Sequence, residues 1–273
     1  MDLDGALEQL AKEPTARFDV AELALCLARD EYPELDVEAY LSELNGMVRE
    51  AKTYLAGSLE SRVHGLCRYL FHEMGFRGNL QDYYNPGNSY FNEVIDKRTG
   101  IPISLSVLVI AVGGRAGLEI VGVGLPGHFV AKAVRNGTEV IFDPFHGGRQ
   151  LTVTDCENLV AQVTGEPFQA MPDDLSAAPL QSVVIRMLSN LKAIYLRQGD
   201  FCKAARVMKR LAQLSPDDIT NRRDLGISLV YSGSPGQAID HLSAYLAVMP
   251  DGEDVPTVQK VLNQALKTVG TWN

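Results

Sequence analysis

Residues 190–216 read NLKAIYLRQGDFCKAARVMKRLAQLSP, and residues 224–250 read DLGISLVYSGSPGQAIDHLSAYLAVMP. Laid over one another at an offset of 34 residues, Leu191 falls on Leu225, Gly199 on Gly233, Ala204 on Ala238 and Pro216 on Pro250. Each unit runs in the same order: an apolar helical stretch, a tight glycine-containing turn, a second helical stretch and a proline stop. Small residues, with Gly226 beside Leu225, let paired helices approach closely. Tyr195, Leu211, Leu229 and Leu246 supply the apolar faces. A unit of this kind buries its face only by stacking on a neighbour. Two units are too few to stand alone. They are expected to lean on the rest of the chain and on a last helix predicted over residues 255–269.

The period and the order of matched residues are similar to those of tetratricopeptide repeats. That resemblance implies a groove that takes a protein or peptide partner. The alternative reading of the same helices is a cap on the preceding domain or a dimer surface, and the oligomeric state is not legible.

Upstream of the repeats the texture changes twice. Residues 1 to about 78 are predicted helical, with Leu23, Cys26 and Leu27, and again Leu41, Leu44 and Met47, at helical spacing. A turn-rich stretch, residues 84–89, leads to residues 90–95 and a charged corner at 96–100. Pro102 suits the first turn of a helix, where its missing N–H is harmless. Residues 103–116 are apolar on nearly all sides, the mark of a helix in the middle of a domain. Strands are predicted at 119–124, 128–134 and 139–142, then a helix at 151–166. Residues 169–179 read as a linker and divide the chain into 1–175 and 176–273.

Charge and cysteine usage narrow the function classes. The net charge is -9, with no block of lysine and arginine, which argues against a nucleic-acid surface. The cysteines, Cys26, Cys67, Cys156 and Cys202, have no CxxC spacing, so neither zinc nor a disulfide framework is indicated. Reduced thiols of a cytoplasmic protein are the plain expectation. Residues 1–11 carry acids and do not read as a signal peptide. The longest apolar run, 101–112, is broken by Pro102, Ser104 and Ser106 and is short of the roughly 20 residues a membrane span needs. No cofactor and no membrane are expected.

Asn136-Gly137 between two apolar runs is a strong hairpin signal. If it forms a two-residue turn, Arg135 faces Thr138, and paired positions sum to a constant. Asp143 then lies opposite Val130, and His128 opposite Phe145. Side chains alternate along a strand, so His128 and Asp143 share a face as diagonal neighbours, roughly 7–8 Å apart at the backbone. Two readings stay open: a structural hydrogen bond at a sheet end, or a carboxylate that orients an imidazole beside a nucleophile. A metal site of His128, Asp143 and His146 lacks an evident fourth ligand, and no metal is expected.

The strings NSYFNEVIDKRTGIPISLS (88–106), GVGLPGHFV (122–130) and FDPFHGG (142–148) closely resemble the SirB branch of the transglutaminase-like superfamily. The resemblance covers nearly the whole chain, since that branch also places tetratricopeptide repeats after its first domain. It implies an α+β fold. A papain/transglutaminase-like domain, helices plus a small antiparallel sheet, is followed by an all-α domain of tetratricopeptide-like repeats. It also implies a Cys–His–Asp triad, with the cysteine at the start of the buried helix, where the helix dipole lowers its pKa. His128 and Asp143 occupy the family's histidine and aspartate positions.

The nucleophile is where this sequence departs. In ungapped register the cysteine position falls on Pro102. Ser104 and Ser106 lie on the same helix and are weak stand-ins, because interior helix serines usually bond back to their own turn. Cys67, on LCRYLF with His64 one turn before it, is a further candidate and reads more simply as a core residue. Asn92 and Glu93 precede the buried helix and, with Pro102, are expected to border the cleft. The sequence therefore supports a non-catalytic interaction protein. The alternative is a hydrolase or acyl transferase on an amide or thioester, with a displaced nucleophile.

Overall fold

Apolar spacing, acidic caps and glycine stops set the helices of this chain. A computed structural model describes residues 1–271. They divide into two compact units, one of residues 1–3 with 15–187 and the other of residues 4–14 with the described residues from 188 onward.

The first unit opens with α2 (Val20–Ala28) and α3 (Val37–Ala51), capped by Asp19 and Asp36. (Helix α1, Leu3–Lys12, precedes them in the chain.) α4 (Leu59–Cys67) runs on into a wider turn, Arg68–Glu73. Two short parallel strands, β1 (Arg77–Gly78) and β2 (Thr99–Gly100), flank α5 (Phe91–Lys97). α6 (Pro102–Arg115) starts with Pro102 in its first turn, as expected, and is buried along almost its whole length.

A four-stranded antiparallel meander follows: β3 (Glu119–Leu125), β4 (His128–Arg135), β5 (Thr138–Asp143) and β6 (Arg149–Leu151), in that spatial order. α7 (Val153–Thr164) comes next. The two sheet faces serve different cores. Phe129, Ala131, Ala133, Val140 and Phe142 join the large core around α6. Val123, Leu125 and Val130 pack with Cys156 and Val160 of α7 in a smaller one. β6 was not foreseen, because three residues with exposed or half-exposed side chains carry no alternation to read.

The last helices are α8 (Leu180–Gln198), α9 (Phe201–Leu214), α10 (Ile219–Tyr231), α11 (Pro235–Val248) and α12 (Val255–Gly270). The division between the units falls inside α8, past the linker near residue 175 where the sequence had set it. α1 groups with the second unit, and there Asp4 pairs with Arg210.

The repeat signature occupies the expected places. Gly199 and Gly233 take left-handed backbone after α8 and α10, and Ala204 and Ala238 are fully buried at the helix crossings. Leu191 and Leu225 are buried, and Pro216 and Pro250 sit just past the ends of α9 and α11. One apolar position differs: Leu246 is only half-buried, and Leu242 and Tyr245 fill the interior of α11 instead. Asp254, at the entry to α12, accepts from Arg223 of α10 at 2.6 Å and from the Tyr245 hydroxyl of α11 at 2.7 Å. Among the described residues no helix is long and apolar enough to cross a membrane.

Candidate functional site

Hairpin geometry builds the site. Asn136 and Gly137 both adopt positive φ, and β4 pairs with β5 through Arg135–Thr138, Ala133–Val140 and Ala131–Phe142. This is the register expected from the turn, and it brings His128 Nε2 to 2.9 Å from Asp143 Oδ2. Alternation places both residues on the face of Val130 and Ile141, which belong to the smaller core with α7. The turn ahead of His128 needs its glycine: at Gly127 a Cβ would stand 2.6 Å from Val163 Cγ1 on α7.

Asp143 is the hub. Its Oδ2 also accepts from His146 Nδ1 at 2.7 Å, while its Oδ1 accepts the backbone N–H groups of Phe145 at 2.9 Å and His146 at 3.4 Å. The rings of His128 and His146 stack with centroids 5.9 Å apart. From α8, Arg186 Nη2 donates to the His128 carbonyl at 3.2 Å. Asp143 is 1% and His128 4% exposed, so these two side chains meet away from bulk water, whereas the His146 ring is half-exposed.

Burial pushes the Asp143 carboxyl up, but the hydrogen bonds and charge of His128 and His146 outweigh it and hold the group well below its ordinary value. The hydrogen bond to Asp143 raises the His146 pKa against partial burial, which lowers it.

Among the described residues, neither serine candidate is hydrogen-bonded to this network. Pro102 is buried in the first turn of α6. Ser104 Oγ donates to the Asn88 carbonyl at 2.6 Å and accepts from the Ile101 N–H at 3.0 Å, so it fastens the helix start. Ser106 Oγ is buried with no hydrogen-bond partner, and it is therefore not bonded to His128. Burial pushes the Cys67 thiol up to about 12, which leaves it protonated at neutral pH. Its sulfur packs on the turn after His146, where a Cβ on Gly148 would stand 2.3 Å from Cys67 Sγ.

A cleft of about 740 Å³ opens on Asp143 and His146, walled by Arg149 and by Asp155, Asn158, Leu159 and Gln162 of α7. Asn92, Glu93 and Pro102, expected at the cleft, are not among its walls. Glu93 turns along α5 to pair with Lys97, and Asn92 is buried with its Oδ1 unpartnered. The sequence groups His146 with His128 and Asp143 only as a set-aside metal site, and nothing in FDPFHGG says that the turn folds its ring back onto Asp143. Arg186, on α8 and beyond the linker in sequence, gave no signal at all.

Comparison with known proteins agrees with this architecture. Residues 38–189 match the transglutaminase-like superfamily, and residues 191–263 match the tetratricopeptide repeat. A UPF0162 protein of Xylella fastidiosa is 35% identical over 248 residues, 86% of each chain. A UPF0162 protein of Vibrio cholerae is 28% identical over 218 residues, 77% of this chain and 79% of its own. F-box only protein 21 of Mus musculus is 34% identical over 160 residues, 55% of this chain and 24% of that one. No solved structure matches significantly. The chain belongs to the UPF0162 family and, through residues 38–189, to the transglutaminase-like superfamily.

Proposed function

We propose that this chain is a non-catalytic transglutaminase-like protein of the SirB branch, acting in the cytoplasm through protein interaction or regulation. In this reading residues 1–175 form the domain that keeps the His128–Asp143 pair, and residues 176–273 form the partner-binding repeats. One observation carries it. The position where the superfamily has its nucleophile is a buried proline at the start of α6, and neither helix serine bonds to His128. Without an attacking atom in contact with its base, acyl transfer has no first step. The repeat match supports the interaction role, because tandem helical repeats present extended binding surfaces.

The intact His128–Asp143 bond at 2.9 Å favours a second reading, a hydrolase or acyl transferase acting on an amide or thioester. Ser104, Ser106 or Cys67 would then have to swing to the imidazole.

Affinity capture from a native extract tests the first reading, comparing the full chain with a chain ended at residue 187, where the first unit ends. The partner is lost on truncation if the repeats hold it. Retention of the same partner by the shortened chain would contradict that assignment.

A further inference from the structure

The His128–Asp143–His146 cluster is larger than a catalytic pair needs. A triad uses one imidazole on its carboxylate, and here a second imidazole is folded onto the same oxygen by the turn at residues 144–147. We propose that His128, Asp143 and His146 form a binding site for one divalent first-row transition metal, zinc in the first instance, open to the cleft along α7.

The donor atoms of the three residues all lie within 4.8 Å of one another. Zinc bound at about 2.0–2.1 Å from nitrogen and about 2.0–2.2 Å from oxygen sets tetrahedral ligands roughly 3.3 Å apart. His128 Nε2 and His146 Nδ1 stand 2.9 Å and 2.7 Å from Asp143 Oδ2, so each pair opens by roughly half an ångström to admit the ion. His146 can make that move, because its ring is half-exposed on a short turn, whereas His128 and Asp143 are buried and preset.

Two imidazoles and one carboxylate suit zinc and its neighbours rather than calcium or magnesium, which prefer all-oxygen sites. A fourth protein ligand is required only of closed structural sites. An open site needs three protein ligands and a water-filled position, which the cleft beside Asp143 and His146 provides. The outer supports are also present. Asp143 Oδ1 is held by two backbone N–H groups, and the His128 backbone is held by Arg186. Each ring binds through the nitrogen that now donates to Asp143. The proton there leaves to solvent or passes to the other ring nitrogen.

The test is titration of the chelator-treated full chain with cobalt(II), followed by visible absorption, and with zinc(II), followed by calorimetry. The expected result is saturation at one equivalent, with cobalt d–d bands free of a thiolate charge-transfer band, and at least about 100-fold weaker binding in His146→Ala. His146→Gln, which keeps a hydrogen-bonding group beside Asp143, should lose the metal equally and guards against a folding defect in the first variant. No saturable binding, binding unchanged in both variants, or a thiolate band marking a cysteine site would each overturn the proposal. None of these results depends on what the repeats bind.

Discussion

Asp143 accepts from His128 across the β4–β5 register at 2.9 Å, with both side chains out of bulk water. The carboxylate that makes this bond also holds His146 and two backbone N–H groups, so its removal orphans several buried donors at once. Asp143→Ala is expected to destabilise the protein by about 3 kcal/mol. Asp143→Asn keeps an acceptor for the backbone and should cost about 1–2 kcal/mol. Urea denaturation of the two variants checks this ordering. Equal midpoints for both and the parent would mean that the hub contributes nothing to folding.

The two serines of α6 should behave in opposite ways. Ser104→Ala leaves the buried Ile101 N–H and the Asn88 carbonyl without their partner and should cost about 1–3 kcal/mol. Ser106→Ala removes a buried hydroxyl that has no partner, and the change should stay within about 0.5 kcal/mol. A loss at Ser106 as large as that at Ser104 would show that its hydroxyl is bonded after all.

In the repeats, Gly226→Ala sets two effects against each other. Alanine gains about 1 kcal/mol of helix propensity inside α10. Its Cβ, however, would stand 2.7 Å from Leu242 Cγ and Cδ2 of α11, and overpacking of that kind costs about 1–3 kcal/mol. The net expectation is destabilisation by about 1 kcal/mol, read from the denaturation midpoint. A stabilised variant would show that α10 and α11 move apart freely.

Thiol chemistry gives a separate check. Burial pushes Cys67 up to about 12 and Cys156 up to about 11, whereas Cys202 is exposed. A raised thiol pKa means less thiolate, so at mildly alkaline pH the native protein should be alkylated by iodoacetamide at Cys202 ahead of the others. Peptide mapping reads this directly. Alkylation of Cys67 at the rate of Cys202 would contradict its buried, protonated state.

The parts legible in the sequence were those set by local rules. Asn136-Gly137 fixes a hairpin register, and that register alone put His128 beside Asp143. A 34-residue period with glycine and proline punctuation placed the repeat turns and stops, and the last helix was expected at 255–269 and runs over Val255–Gly270, whereas α8 and α10 begin at Leu180 and Ile219, upstream of the matched units. What stayed hidden depends on contacts between distant segments. Whether Ser104 turns to His128 or to Asn88 is decided by how residues 85–89 pack against the start of α6, and no periodicity encodes that. The ring of His146 is aimed by a short helical turn after Pro144, and Leu246 yields the interior of α11 to Leu242 and Tyr245 through helix packing that the repeat alignment does not resolve.

Covalent labelling tests the central claim, a His–Asp pair with no nucleophile to activate, most directly. The full chain and its His128→Ala variant would be treated with fluorophosphonate, acyl-enzyme and thiol-directed probes, and the adducts mapped by mass spectrometry. The account predicts no serine adduct, and cysteine labelling at Cys202 that is the same in both proteins. An adduct on Ser104, Ser106 or Cys67 that disappears in His128→Ala would contradict it.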